Sequence, residues 1–287
     1  MNKKLAVVIS GWHYPYLFYK QLKEQKTPKG FDIDFFVVSH RDPDLSIVYD
    51  EKQSLLPKFG EGKLQNLDKK LYNRIIKKKE IKELGFIYNE EPNEIGDLFL
   101  LNQWVQRHYK GQYDYTMYTH DDTFLLNDRM FTDIFENKAT LLSNPYKGSV
   151  VEVPSNFSWD HLASGVHSGT TCPRTSFTVL SKVLLDKLAP SFEKISTEGA
   201  TLNRLDQSDT PYDINGKKIN TTILGSWNAP GRNFWKWCEE NNFTNKSVRL
   251  SNTYRVTPYF IEAERGFLYS PDGENSLLNY LTKNDLL

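Results

Sequence analysis

The chain has 287 residues and sets 36 Lys and Arg against 36 Asp and Glu, for a formal charge of zero. That balance excludes a polyanion binder working through a global field, so nucleic acid is not an expected partner. With 39% hydrophobic and 25% charged residues the chain can bury a sizeable core and is neither disordered nor fibrous.

Length favours one α/β domain with an elaborated C-terminal part. Lys4 to Ile9 is rich in Val and Ile and predicts a strand broken at Ser10-Gly11. Its apolar run, Leu5 to Ile9, falls far short of the roughly 18 residues of a spanning helix, so it is no signal peptide or membrane span. Tyr14 to Leu22 predicts a helix. Asp32 to Val38 predicts a second strand, closed by the polar cluster Ser39-His40-Arg41-Asp42-Pro43-Asp44. The β-α-β order implies a parallel, buried sheet.

Residues 63–82 carry Lys63, Lys69, Lys70, Arg74, Lys77, Lys78, Lys79 and Lys82 against Asp68 and Glu80, so 8 − 2 leaves a local +6. Leu64, Leu67, Leu71, Ile75 and Leu84 recur at near-helical spacing, which predicts a basic amphipathic helix stopped at Gly85. Such a face is ordinarily solvated. Its sharper reading is peripheral contact with an anionic membrane or a phosphate-bearing acceptor.

Asn93 to Tyr109 predicts a further helix, with Leu98, Leu101, Val105 and His108 along one stripe and Gly111 beyond its end. His108 reads as a packing residue. Tyr113 to Thr119 predicts a strand, aromatic and β-branched throughout. Beyond Ser143 the pattern loosens: a long loop from Pro154 to Pro173, a helix from Val179 to Leu188, an irregular stretch from Ile195 to Lys218, an aromatic helix from Gly231 to Asn241, and a last strand at Val248 to Leu250. Only Cys172 and Cys238 are present, too few for a disulfide framework, so a reducing, cytoplasmic compartment is expected. The sequons beginning at Asn156, Asn220, Asn242 and Asn245 would matter only in a secreted chain.

The strongest chemical signal is the adjacent pair Asp121-Asp122 at the C-terminal end of an apolar strand. In open parallel sheets ligands bind outside the carboxyl ends of the strands, so this pair should face a site. Exposed there, two carboxylates suit a hard cation, Mn²⁺ or Mg²⁺, which completes its shell with waters and substrate phosphates. The bland alternative is a turn in which one carboxylate caps the residues that follow.

A first strand ending in a short polar turn, a second ending in a polar loop, and a helix with Asn102 leading through Tyr113-Asp114-Tyr115 to Thr119-His120-Asp121-Asp122 together resemble the GT-A glycosyltransferases. The resemblance covers residues 4–130 best, and His120 stands where that family's Asp-x-Asp element has its first Asp. It implies a Rossmann-like, mostly parallel sheet flanked by helices. Residues 1–130 would form the half that binds a nucleotide-sugar donor, with UDP-sugar favoured. Residues 131–287 would form the half that binds a glycan or lipid-linked acceptor.

The resemblance further implies that Asp122 ligates the metal bridging the donor phosphates, with Asp121 beside it, nearer the ribose or sugar. Ser10, Gly11 and Trp12, with His40, Arg41 and Asp42, would hold the base and ribose. A general base on the acceptor side would lie downstream; Glu198, Asp206, Asp209 and Asp213 fall in that window and Asp160 just before it, with Glu198 and Asp209 favoured. No His follows His167, so a C-terminal histidine ligand found in some members is missing here. Trp159 and Trp227 are candidates for stacking on sugar rings.

Other chemistries fail on spacing. His40-Arg41-Asp42 lacks the kinase Asn, since Ile47 stands there, and Gly165-Val166-His167-Ser168-Gly169 puts Ser one place too late for a nucleophile elbow. No Walker lysine or H-E-x-x-H is present. The sequence therefore leaves two readings, a metal-dependent glycosyltransferase and a non-catalytic sugar- or nucleotide-binding module on the same fold.

Overall fold

A computed structural model of the chain describes residues 1–11, 14–39, 42–44, 75–91, 97–121, 123–136, 142–144, 149–151, 159–160, 177–198, 233–234, 236–237, 240–241, 254–256 and 260–263. Strand β1 (Lys3–Ser10) is buried from Leu5 onward. A run apolar on both faces can pair only inside a sheet covered on both sides. It lies between β2 (Phe31–Ser39), with Lys3 opposite Phe31, and β4 (Tyr115–His120), with Leu5 opposite Tyr115, both parallel to it. On the far side of β2, β3 (Ile87–Glu90) is also parallel. Beyond β4 the sheet turns antiparallel through β9 (Phe177–Ser181) and β8 (Trp159–Asp160), giving the six-strand order β3-β2-β1-β4-β9-β8. The fold is therefore α/β, with a mostly parallel sheet flanked by helices.

Alternation along the strands divides the core in two. Leu5, Val7, Ile9, Phe35, Val37 and Met117 face α1 (Tyr16–Lys23) and Phe131 of α4 (Met130–Phe135). Ala6, Val8, Phe36, Val38, Tyr118 and Leu180 face α3 (Asp97–His108), α5 (Lys182–Leu188) and α6 (Phe192–Thr197). Burial of each of the Leu, Val, Ile, Phe and Met side chains among these contributes about 1.5–3 kcal/mol. At the opposite edge from the strand ends, Asp114 joins three elements. Its Oδ2 accepts the Lys4 N–H at 2.8 Å, its N–H donates to Lys4 O at 2.9 Å, and its carbonyl accepts the Lys182 N–H at 2.8 Å. A three-stranded antiparallel sheet, β10 (Tyr254–Val256), β11 (Phe260–Ala263) and β5 (Thr123–Leu125), and a hairpin of β6 (Leu142–Asn144) and β7 (Ser149–Val151) complete the described strands.

Three expected elements change. The predicted helix over 63–82 is not continuous: α2 spans only Lys78–Glu83. Ile75 instead bridges Pro15, and the Ile76 N–H donates to Tyr14 O at 2.9 Å. Ile76 is fully buried, so this stretch is drawn extended into the core before Lys77 opens the helix with Glu80 Oε2 on its N–H at 3.0 Å. Gly85 does end that helix, at φ +81°. Residues 63–74 lie outside the described residues. The helix expected over Val179–Leu188 is strand to Ser181 and helix only from Lys182, because Thr178 and Val179 pair with Tyr118 and Met117 of β4.

In the stretch read as loop over 154–173, Trp159 and Asp160 form β8, paired with β9. The rest of that stretch and Val248 to Leu250 fall outside the described residues. His108 packs as expected, its ring 5.6 Å from Phe36 with its pKa lowered by burial. Phe234 is buried and Trp237 packs against the same cluster. No helix among the described residues is long and apolar enough to cross a membrane.

Candidate active site

The carboxyl ends of β1 to β4 open on one edge of the sheet. From β1 the chain builds β2 and β3 to one side and then sets β4 on the other, so the strand order reverses between β1 and β4. There Ser10 stands opposite His120. Such a switch point is where an α/β sheet leaves a crevice for a ligand.

Asp121 follows β4 directly. The exposed carboxylate pair expected here is corrected in one member: Asp121 is fully buried. Its Oδ2 accepts the Tyr14 N–H at 2.8 Å and the Tyr19 hydroxyl at 3.1 Å. These donors replace the water that burial removes from the charge. Burial also lifts both tyrosine pKa values well above their ordinary value. The neighbouring charge of Asp121 adds to the rise at Tyr19, while Tyr88 adds before Asp121 at Tyr14. Asp122 lies outside the described residues. His120 is half-buried, its ring edge-on to Tyr118 at 6.0 Å on the α3 side of the sheet.

The turn after β1 is tightly built. Ser10 and Gly11 are buried, and a Cβ on Gly11 would sit 2.9 Å from Tyr14 Cε1 and 3.0 Å from Val37 Cγ1, so no larger residue fits without displacement. The Ser39 hydroxyl at the end of β2 donates to Gly11 O at 2.6 Å. Tyr14 adopts φ +55°, a left-handed conformation rare for a bulky residue. Trp12 lies outside the described residues.

The loop after β2 is pinned as well. Lys78 of α2 bonds Asp42 Oδ2 at 3.0 Å and also Glu90 Oε1, while its N–H donates to Asp44 Oδ1 at 3.1 Å. Burial lowers the Lys78 pKa, but its bonds to Glu90 and Asp42 outweigh this and raise it. The Asp42 carboxylate is thus engaged by a cation from its own chain. His40 and Arg41 lie outside the described residues.

Among the favoured bases, Glu198 is exposed just past α6; its N–H bonds Lys194 O at 2.8 Å and its carbonyl accepts from Asn233 Nδ2 at 2.6 Å. Asp209, with Asp206 and Asp213, lies outside the described residues, as does Trp227. Asp160 pairs in register with Thr178, itself opposite Tyr118, which sets its backbone two strands from β4 near the edge bearing Asp121.

The structure also brings Tyr14, Tyr19, Ser39, Lys78, Glu90 and Glu91 to this edge, none of them anticipated. Glu90-Glu91 is also an acidic pair at a strand end, but β3 is short and at best half-buried, Ile87-Tyr88-Asn89-Glu90, so no apolar run marks it in the sequence. No three or more His, Cys, Asp or Glu side chains among the described residues are grouped to hold a metal.

No family model matches the chain, and no curated protein matches it in sequence. Among solved structures it is similar to the apo-form glycosyltransferase GlyE of Streptococcus pneumoniae TIGR4, with a TM-score of 0.37 and 9% identity over 86% of this chain and 46% of that one. It is also similar to TarS of S. aureus, with a TM-score of 0.34 and 15% identity over 64% of this chain and 29% of that one. The chain thus spans less than half the length of either.

Proposed function

We propose that the chain is a glycosyltransferase that moves a sugar from a nucleotide-diphosphate donor, UDP-linked in the first instance, to a hydroxyl of a glycan or lipid-linked acceptor. The observation that carries this reading is the switch point between β1 and β4, where the buried Ser10-Gly11 turn meets the strand leading into Asp121-Asp122. Backbone amides and small side chains at such an edge leave room for a ribose and diphosphate.

The donor set suits a hard cation in kind. Mg²⁺ or Mn²⁺ is held through one or two carboxylates plus substrate phosphates and needs no all-protein cage. Asp122 is the residue assigned to it, since Asp121 Oδ2 already serves Tyr14 and Tyr19. When bound, the ion supplies Lewis-acid neutralisation of the charge on a departing diphosphate. The chain's own part is to hold the donor at the Ser10-Gly11 turn and to present an acceptor-side carboxylate. Asp160 joins Glu198 and Asp209 as a candidate for that base, supported by its register near the edge.

A thermal-shift panel of nucleotides with and without Mn²⁺ tests the reading, because a ligand selective for the folded state raises Tm. The expected result is stabilisation by UDP that requires the metal and is lost in Asp122→Ala. Indifference to every nucleotide would sink it.

A further inference from the structure

Asp121 offers more than a place beside the metal. It is fully buried, and one oxygen takes hydrogen bonds from two residues on either side of the α1 start, the Tyr14 N–H at 2.8 Å and the Tyr19 hydroxyl at 3.1 Å. Strand alternation assigns it to the α1 side: Met117 and Thr119 of β4 line the same small apolar gap as Phe18 and Leu22 of α1, whereas His120 stands with Tyr118 on the other face. The Tyr14 N–H that Asp121 holds belongs to the residue in the left-handed conformation, φ +55°. A bulky residue keeps such a conformation only when its surroundings over-determine it.

Further contacts of Tyr14 and Gly11 show what is being determined. Tyr14 O accepts the Ile76 N–H at 2.9 Å, the Tyr14 ring fills the space under Gly11, and Gly11 O accepts the Ser39 hydroxyl at 2.6 Å. The Ser10-Gly11 turn is therefore held from below by Tyr14, and Tyr14 is held in turn by Asp121.

Resting on the donor-site reading above, we infer that Asp121 is a positioning residue. It acts through Tyr14 to hold the Ser10-Gly11 turn in the shape that receives the donor, and it ligates neither the cation nor the ribose. The two acids of the pair are thus divided in role: Asp121 faces inward and sets the floor, and Asp122 is left to meet the ligand.

The division is tested by the conservative variant. An Asn at 121 still offers a carbonyl oxygen to Tyr14 and Tyr19 but is a poor partner for a hard cation, whereas Ala offers neither. Full-length Asp121→Asn, Asp121→Ala, Tyr19→Phe and Asp122→Asn proteins are compared by three measurements. These are amide hydrogen exchange at Tyr14 without ligand, Mn²⁺ binding alone by electron paramagnetic resonance, and UDP affinity with Mn²⁺ by calorimetry.

The expected result is that Asp121→Asn keeps Tyr14 protection, Mn²⁺ binding and UDP affinity within about threefold of the parent, the modest loss of exchanging a charged for a neutral acceptor. Asp121→Ala should speed Tyr14 exchange and weaken UDP by about tenfold or more while Mn²⁺ binding holds, whereas Asp122→Asn should lose Mn²⁺ binding, and with it the metal-dependent UDP affinity, while Tyr14 exchange stays at the parent's rate. If Asp121→Asn loses Mn²⁺ as Asp122→Asn does, Asp121 is a ligand and the inference falls. It falls equally if Tyr14 exchange in Asp121→Ala matches the parent. Should Asp121→Ala fail to fold, Tyr19→Phe takes its place: it must speed Tyr14 exchange and leave Mn²⁺ binding intact. A parent that takes neither Mn²⁺ nor UDP overturns the donor reading alone, and the Tyr14 amide still decides whether Asp121 holds the turn.

Discussion

Glu91, immediately after β3, shows how much one side chain can depend on another here. Its side chain is 1% exposed, Oε1 lies 2.7 Å from Arg107 Nη1, and Oε2 has no hydrogen-bond partner among the described residues. Burial raises its pKa, and the Arg107 charge offsets part of that rise. An acid whose folded pKa is raised binds protons more readily folded than unfolded, so stability falls as pH climbs from the ordinary glutamate range through the raised folded value. Arg107→Ala removes the offset and should raise that pKa further. Because Arg107 is itself 52% exposed, the expected cost is about 1–3 kcal/mol at pH 7, below the figure for a fully buried pair. The loss should shrink at pH 5, and Glu91→Gln should flatten the pH dependence. Urea unfolding at the two pH values checks both. A cost equal at pH 5 and pH 7 would mean that the guanidinium packs against Glu91 without serving its charge.

At the scale of elements, the join between β9 and α5 rests on Ser181. It is the last residue of the strand, in an extended conformation, and its hydroxyl accepts the Leu184 N–H at 3.4 Å as the helix N-cap. Ser181→Ala should cost about 0.5–1 kcal/mol, the lower part of the range for lost caps since the bond is long, measured as a shift in the urea midpoint at unchanged m-value. This join also shows where sequence reading stops. Val179, Leu180, Leu184, Leu185 and Leu188 are all buried, and their spacing fits a helix stripe well enough to hide that the first two belong to a strand. Only pairing with Met117 and Thr116, far off in the chain, decides it. By contrast β1, β2 and β4 are apolar runs bounded by breakers, so their existence and parallel order were legible. The site divides along the same line. That Asp121-Asp122 ends a buried strand follows from local pattern, but that Asp121 turns inward depends on Tyr14 and Tyr19, more than 100 positions away.

Across the whole molecule, protection should follow the sheet order. The central strands β1 and β4 are buried along most of their length, while β3 at the edge is at best half-buried. Native-state hydrogen exchange should therefore show the slowest amides in Leu5 to Ile9 and Thr116 to Thr119, with Ile87 to Glu90 opening at lower free energy. Equal protection in β3 and β1 would contradict this order. The insertion of β4 beside β1 carries a further consequence for synthesis. Lys4 meets its partner Asp114 across a separation of 110 residues. β2 is made soon after β1 and can cover one side of it, but the other side, from Leu5 to Ser10, must wait for Tyr115 to His120. At about 5–20 residues per second, that exposes an unpaired apolar strand edge on the nascent chain for roughly 5–20 s. A chaperone that shields extended apolar segments would find its binding site in the β1 edge, and the yield of folded protein should depend on how long that edge stays open.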